Sequence, residues 1–460
     1  MAKKLFGNTG GGRFSGNRSS EPERKSQYEA PKPKAKKKKP KLKILVVLLA
    51  IVLFIECAYC VAIFTDIGPI QYLRNMYIST AMSTFHHQWL AKALIPGDIV
   101  QGVIDEIEAD KNAQMELVSS WNDVTDATTE ATEPTVPRSP SVGFSKDQAA
   151  SLLGELAEAN GLSGEISDFF KLFHELDEES TRAYVDSHPE VVANGWSKFH
   201  VNEAGLDDDG TEIYTRQGDQ VLAINAEHGL LLIRVTGTGY RGILCLGKDP
   251  SRLKLAPAKN LGSVGQYAGV IAENNNALLA MTASGFGGAE GVGEGGDIAG
   301  AAMFSGKTYG THFPWGYKRI ELHTDNRLYV TDAHTAFGEN CTDASEFMPA
   351  LIVDGDLSVS KGTLYTAVNP RACLGQTRDE SIMFLVIEGR FIDSVGTNAE
   401  ECAEILARYD GYQSMNVDGG SSAILWYEGE YITRCSNNHL SGRHLPNAWV
   451  YCTETVPDPE

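Results

Sequence analysis

The chain has 460 residues, of which 42% are apolar, and it carries a net charge of −20. This is enough apolar material for one large domain or two ordinary domains with accessory segments, and it excludes a chain that is disordered throughout. The charge is unevenly distributed, because residues 1–43 contain 14 Lys and Arg against three Glu. The two ends of the chain are therefore expected to face different environments.

The border between the basic and acidic parts is Ile44–Phe64, which is apolar except for Glu56. As a helix, these residues would be about 32 Å long, close to the thickness of the hydrocarbon layer of a membrane. A cleaved signal peptide is the alternative, but its apolar region would be shorter and a small-residue cleavage site would follow. Lysines precede the span, which predicts a cytoplasmic N-terminus and places everything after Thr65 outside the cell membrane.

Composition divides the chain into six segments. The basic tail has too little apolar content for a core and suits the anionic inner leaflet, and it lacks the aromatic residues of a nucleic-acid site. The predicted segments are a disordered cytoplasmic tail (1–43), a transmembrane helix (44–64), a juxtamembrane helical stalk (65–120), a Thr/Pro-rich linker (121–144), a small helical unit opened by the capping box Ser145–Gln148 (145–205) and the main domain (206–455).

The main domain is predicted to be rich in sheet. Short apolar runs with β-branched and aromatic residues alternate with Gly, Asn and Asp, as is typical of strands. These runs are Gly229–Val235, Gly242–Leu246, Leu351–Val353, Ile382–Ile387, Ile424–Tyr427 and Ala448–Tyr451. One helix is expected after Thr397 as its N-cap, with Gly411 beyond its end. The predicted fold class is therefore α+β, with a few helices packed on the sheets.

A candidate site follows the apolar run Met415–Val417. The run ends at Asp418, and two glycines and two hydroxyl residues come next, Gly419–Ser422. Glycines let the backbone turn where a side chain would block a ligand, so a strand end of this composition is typical of a binding site. A type I′ hairpin built on Asp-Gly is the structural alternative.

Several segments in order give the main domain a family resemblance. They are Tyr240–Gly242, Asp249–Ser251, Ala283–Phe286 with Gly291–Gly296, Asn369–Gln376, Glu388–Arg390 with Ser394–Gly396, and the Asp418 turn followed by Gly442–Arg443. Together they resemble the phosphodiester glycosidase family, in the form attached to the surface of Gram-positive bacteria. The resemblance implies a hydrolase that cleaves a sugar 1-phosphodiester in a cell-envelope glycan or an exopolysaccharide.

The resemblance also implies which residues form the site. Asp418 and Arg371 are the expected catalytic residues. The expected substrate-binding residues are Thr282, Ser284, Gly285, Phe286, Arg390, Ser394, Gly396, Gly419, Gly420, Ser421, Ser422 and Arg443. In this reaction the leaving group is a phosphate monoester with a second pKa of about 6, so it departs without much help from an acid. Arginine forks that hold the phosphate and one carboxylate near the anomeric carbon then suffice.

Ordinary structural roles remain open for these residues. Arg371 could form a surface ion pair, Arg390 could occupy a hairpin tip, and Arg443 could belong to a solvated loop. Ser394 and Gly396 could simply lead into the helix after Thr397.

Two departures from the family pattern leave other functions open. Thr282 stands where many members have Asn, and Ser284 replaces a glycine. A non-catalytic phosphoglycan-binding protein on the same fold is therefore an alternative, as is an envelope assembly or scaffold factor that acts through the stalk and linker.

No cofactor is predicted. Glu290, Glu294 and Asp297 could hold calcium, but their spacing fits a solvated turn better than a known calcium loop. The cysteines outside the span allow fifteen full disulfide pairings or a set of buried thiols. They are Cys245, Cys341, Cys373, Cys402, Cys435 and Cys452.

Overall fold

We analysed a computed structural model of the chain. It describes residues 41–83, 87–121, 166–188, 212–287, 294–313, 317–359, 366–437 and 439–459. Residues 1–40 of the basic tail, residues 122–144 of the Thr/Pro-rich linker, the capping box at Ser145, and Glu290 lie outside the described residues. Internal contacts divide the chain between Tyr59 and Cys60, and the second unit, Cys60–Glu460, contains every strand described below.

The described helices are α1 (Lys41–Phe64), α2 (Gly68–Met82), α3 (Gln88–Leu94), α4 (Gly97–Met115), α5 (Ile166–Leu172), α6 (Glu178–Ser187), α7 (Ala268–Asn274) and α8 (Ala399–Arg408). Within α1, Lys43–Phe64 is long and apolar enough to cross a membrane, and it is the one such helix among the described residues. This agrees with a single-pass membrane anchor. Its large apolar side chains are exposed, as Leu49 and Phe54 illustrate.

Three antiparallel sheets build the main domain. The first has eight strands in the order β1 (Gln220–Asn225), β2 (Leu230–Gly237), β3 (Tyr240–Gly247), β14 (Ile382–Ile387), β13 (Arg371–Thr377), β15 (Gly411–Val417), β11 (Ala350–Val353) and β12 (Asp356–Leu357). The second has the order β7 (Lys307–Gly310), β6 (Ala301–Phe304), β10 (Cys341–Phe347), β8 (Lys318–His323) and β9 (Leu328–Asp332). The third has the order β17 (Glu430–Tyr431), β16 (Leu425–Tyr427), β5 (Ala277–Thr282), β18 (Asn447–Cys452) and β4 (Leu253–Pro257).

One hydrophobic core joins the three sheets. It contains side chains from the first sheet such as Phe384, from the second such as Ile320, and from the third such as Trp449. The indole N–H of Trp449 donates to the hydroxyl of Ser345 at 3.0 Å, which links the third sheet to the second. The sheet-rich α+β class predicted from the sequence is confirmed, and each predicted apolar run contains a strand.

Helix α8 begins one residue later than its sequence predicted. Its N-cap is Asn398, whose side chain accepts a hydrogen bond from the backbone N–H of Glu401 at 2.8 Å. The predicted cap, Thr397, instead pairs its backbone with Asn369, with both N···O distances at 3.0 Å. Asn is at least as good an N-cap as Thr, and the paired backbone of Thr397 leaves the next residue to begin the helix.

The end of α4 and the residues that follow it contact two of the sheets. The side-chain amide of Gln114 accepts from the N–H of Ala350 at 2.9 Å and donates to Ser358 O at 2.9 Å, beside β11. Ser119 exchanges two hydrogen bonds with Val330 on β9. Since Gln114 is buried, it satisfies polar groups of the main domain that would otherwise lack partners.

Candidate active site

The Asp418 turn connects two different sheets. Strand β15 lies in the first sheet and ends just before Asp418, while β16 lies in the third sheet. The hairpin alternative is therefore wrong. Gly420 has a φ of +58° and begins a short 3₁₀ turn that ends at Ser422. A left-handed φ at the start of this turn favours glycine, and the Ser422 hydroxyl at its end bonds to Asp418.

Asp418 has a strongly perturbed carboxyl group. Burial raises its pKa to about 7, although a hydrogen bond from Ser422 and the charge of Arg443 both act to lower it. Part of the residue's surface remains open to solvent. A carboxylate that titrates near neutral pH while in contact with water is suited to accept a proton from a reacting group.

Arg443 contacts both hydroxyls of the turn. One of its terminal nitrogens is 3.4 Å from the hydroxyl oxygens of both Ser421 and Ser422. Its guanidinium carbon lies 4.4 Å from the centre of the Phe286 ring, which supports the planar group from one face. Phe286 and Arg443 are far apart in the sequence, and the fold brings both to the Asp418 turn.

Arg390 approaches the same turn from the loop after β14. A Cβ added to Gly420 would lie 3.3 Å from one terminal nitrogen of Arg390. The same nitrogen donates to the side-chain oxygen of Asn369 at 3.3 Å. Arg390 is exposed to solvent. Among the described residues, no carboxylate forms an ion pair with it. Its guanidinium is therefore available to an anion.

Arg371 has different surroundings. Its Nε donates to Thr397 O at 3.2 Å and one terminal nitrogen donates to Ala367 O at 2.5 Å. Burial lowers the pKa of Arg371, while the nearby thiols of Cys402 and Cys373 act to raise it. These contacts give Arg371 a role in holding the backbone beside the site, and its part in catalysis stays a prediction.

Ser394 and Gly396 shape the loop that carries Arg390. The Ser394 hydroxyl donates to Glu388 O at 2.8 Å and accepts from the N–H of Arg241 at 3.1 Å. Gly396 has a φ of +114°, and a Cβ there would lie 2.6 Å from the carbonyl of Asn369. Both residues act through the backbone of the loop, and their contact with a substrate stays a prediction.

The turn after β5 lies directly against the Asp418 turn. The N–H of Asp418 donates to Ala283 O at 2.9 Å. On either side of Ala283, Thr282 and Ser284 are completely buried. Ser284 exchanges hydrogen bonds with the Asn447 side chain, both at 2.9 Å, while the Thr282 hydroxyl has no partner in the described part of the chain. Gly285 allows Phe347 to approach, since a Cβ would lie 3.1 Å from its ring.

Sequence reasoning missed three residues that border this site. Burial raises the pKa of Tyr317, and the negative charges of Asp418 and Glu346 raise it further. Glu346 is completely buried and lies 2.5 Å from Nδ1 of His312, and it also accepts backbone N–H groups from Ala301 and Phe313. A lone Glu on a strand gave no signal in the sequence.

Among the described residues, one group of side chains has a spacing that could hold a metal ion. Ligand atoms of Glu321, His323 and Cys341 all lie within 4.8 Å of one another. However, Glu321 already accepts hydrogen bonds from Arg319 and His323, at 2.7 and 2.8 Å, and from Thr331. A buried guanidinium beside the carboxylate opposes a further cation, so we assign no metal to this group. All six cysteines of the main domain are buried free thiols in this structure.

The fold and the site define a sheet-rich α+β domain in which Arg390 and Arg443 border the turn that follows Asp418. Residues 295–452 match the model of the phosphodiester glycosidase family. This part of the chain is therefore similar to the phosphodiester glycosidase family, as its motifs predicted. The match begins after β5, so the motifs between Tyr240 and Phe286 lie outside it.

Comparison with solved structures gives matches at low identity. The catalytic domain of zebrafish N-acetylglucosamine-1-phosphodiester alpha-N-acetylglucosaminidase, auto-inhibited by its pro-peptide, is 15% identical with a TM-score of 0.41, covering 48% of this chain and 82% of that one. A hypothetical protein from Synechocystis is 14% identical with a TM-score of 0.35, covering 52% of this chain and 65% of that one. No curated protein matches this chain.

Proposed function

We propose that the protein is a membrane-anchored extracytoplasmic hydrolase that cleaves a sugar 1-phosphodiester in a surface glycan or exopolysaccharide. The observation that carries the proposal is the convergence of Asp418, Arg390 and Arg443 on one turn. Asp418 titrates near neutral pH, and the two arginines approach Gly420 and Ser421 from different loops. In a sugar 1-phosphodiester, the negative phosphate would be held by the arginines and the anomeric carbon would lie beside the carboxylate.

In the proposed reaction, water attacks the anomeric carbon and Asp418 accepts its proton. The bond between that carbon and the phosphate oxygen breaks, and its electron pair leaves on the phosphomonoester. Arg390 and Arg443 offset the charge that the leaving group gains. Because the phosphomonoester is a good leaving group, the mechanism needs no second carboxyl group to protonate it.

The test uses full-length protein in detergent and a panel of sugar 1-phosphodiesters. Free sugar and phosphomonoester should appear together with the wild type and be lost with Asp418→Asn. Asp325→Asn is the matched control. Asp325 lies in the turn between β8 and β9, where its carboxylate accepts a hydrogen bond from the backbone N–H of Arg327. Binding without turnover across the panel would instead support a phosphoglycan-binding protein. Absence of both binding and turnover would favour a scaffold factor.

A further inference from the structure

The last turn of α2 contacts the residue that holds Arg390. The Asn369 side chain accepts from Arg390 through Oδ1 at 3.3 Å and donates from Nδ2 to the hydroxyl of Ser83 at 3.0 Å. Ser83, which directly follows α2, donates in turn to Thr80 O at 2.8 Å. Three hydrogen bonds thus form one directed chain from the guanidinium to the end of a juxtamembrane helix.

The direction of these bonds fixes the orientation of the Asn369 amide. Arg390 can only donate, so the amide oxygen faces it, and the NH₂ group is left to donate to the hydroxyl of Ser83. Every bond in the chain is polarised in the same sense, and such chains strengthen their members. The chain ends on a carbonyl in the last turn of α2, where the helix dipole is negative and favours a positive charge at the other end of the chain.

Helix α2 is also attached to the same segment at two further points. The N–H of Val368 donates to the Thr80 hydroxyl at 3.0 Å. The hydroxyls of Ser79 and Thr366 are 3.3 Å apart, and Ser79 is buried. Asn369 therefore rests on a surface provided by α2, which was expected from its sequence to be part of a separate stalk.

We propose that α2 is a positioning element of the active site, and that Ser83 sets the phosphate affinity by holding Asn369 and, through it, Arg390. The inference rests on the proposed function, because it assigns Arg390 to the phosphate of the substrate. Ser83 touches no substrate in this arrangement and acts only through the amide of Asn369. Losing its hydroxyl removes one acceptor from a polar chain and lets the amide turn away from the arginine.

The experiment measures binding of inorganic phosphate to full-length protein in detergent by calorimetry. Ser83→Ala should weaken binding about three- to tenfold, and Ser83→Thr, which keeps the hydroxyl, should restore it. Ser187→Ala is the matched control, since Ser187 also ends a helix and its hydroxyl donates to Ala183 O at 3.0 Å within that helix. On a cleaved substrate, Ser83→Ala should raise KM by a similar factor and leave kcat within twofold.

A double-mutant cycle separates positioning from a general structural effect. In an Arg390→Gln background, Ser83→Ala should have no further effect on phosphate binding. Equal binding by wild type and Ser83→Ala, an additive effect in the cycle, or no binding of phosphate by the wild type would each overturn the proposal. Because phosphate binding needs no turnover, the expected pattern without hydrolysis would reject the hydrolase and keep the role of Ser83.

Discussion

The backbone N–H of Asp418 donates to the carbonyl of Ala283 at 2.9 Å. This bond joins the turn after β15, in the first sheet, to the turn after β5, in the third sheet. The site therefore lies where two sheets meet, and residues next to strands of both sheets form it. Asp418 comes from the first sheet, while Phe286 follows a strand of the third and supports Arg443.

Asp418→Asn should abolish turnover and stabilise the fold. The raised pKa means that the folded protein prefers the neutral carboxyl, so its stabilising effect is complete below the ordinary value of 3.8 and is lost as pH rises through about 7. The amide has no charge to bury, so the variant should unfold at a higher temperature than wild type at pH 8. Each unit of pKa shift corresponds to about 1.4 kcal/mol, and solvent access to Asp418 reduces the total to a few kcal/mol. Equal melting temperatures at pH 8 would contradict the buried position of the carboxyl group.

The rate of hydrolysis should depend on pH through the same group. A general base must be ionised, so kcat/KM should rise with pH and level off above about 7. Since the Ser422 hydroxyl bonds to the ionised form and lowers the pKa, Ser422→Ala should move the midpoint to higher pH. Ser421→Ala is the comparison, because the Ser421 hydroxyl contacts Arg443. A profile unchanged by Ser422→Ala would argue that another group titrates.

Arg443→Lys should weaken substrate binding although it keeps the positive charge. The planar guanidinium lies over the Phe286 ring and reaches both serine hydroxyls, and an ammonium group cannot do both. We expect KM for a sugar 1-phosphodiester to rise roughly tenfold. Phe286→Leu should reproduce part of the effect by removing the aromatic support. Steady-state kinetics of the two variants would check this, and wild-type KM in Arg443→Lys would show that charge alone is recognised.

The completely buried Lys318 should make stability depend on pH. Burial lowers its pKa to about 8, and its ammonium donates to Leu117 O at 2.5 Å and to Met115 O at 3.3 Å. Because the pKa of the folded state lies below the usual 10.5, the unfolded chain binds more protons between these values, and this group contributes more stability as pH rises from 8 to 10.5. Denaturant unfolding of wild type minus Lys318→Met should show this rise, up to about 3 kcal/mol. A flat difference would mean that Lys318 keeps its usual pKa.

The sequence predicted the elements whose signals are local. A continuous apolar run between polar residues placed the strand Ile382–Ile387 at its observed bounds, and the apolar length of Ile44–Phe64 predicted a helix long enough to cross a membrane. The cap of α8 was displaced by one residue because a backbone pair between Thr397 and Asn369 is a tertiary contact. Local patterns do not contain that information.

By itself, the sequence determined the sheet-rich class, the long apolar helix and the family likeness of residues 295–452, since each depends on residue order and composition within one segment. Only the tertiary structure decided which guanidinium groups border the Asp418 turn, because each could equally have paired with a carbonyl, as Arg371 does. It also brought Glu346 and Tyr317 to the site and attached α2 to Asn369. These relationships join residues tens to hundreds of positions apart, and they exist only once the sheets have packed.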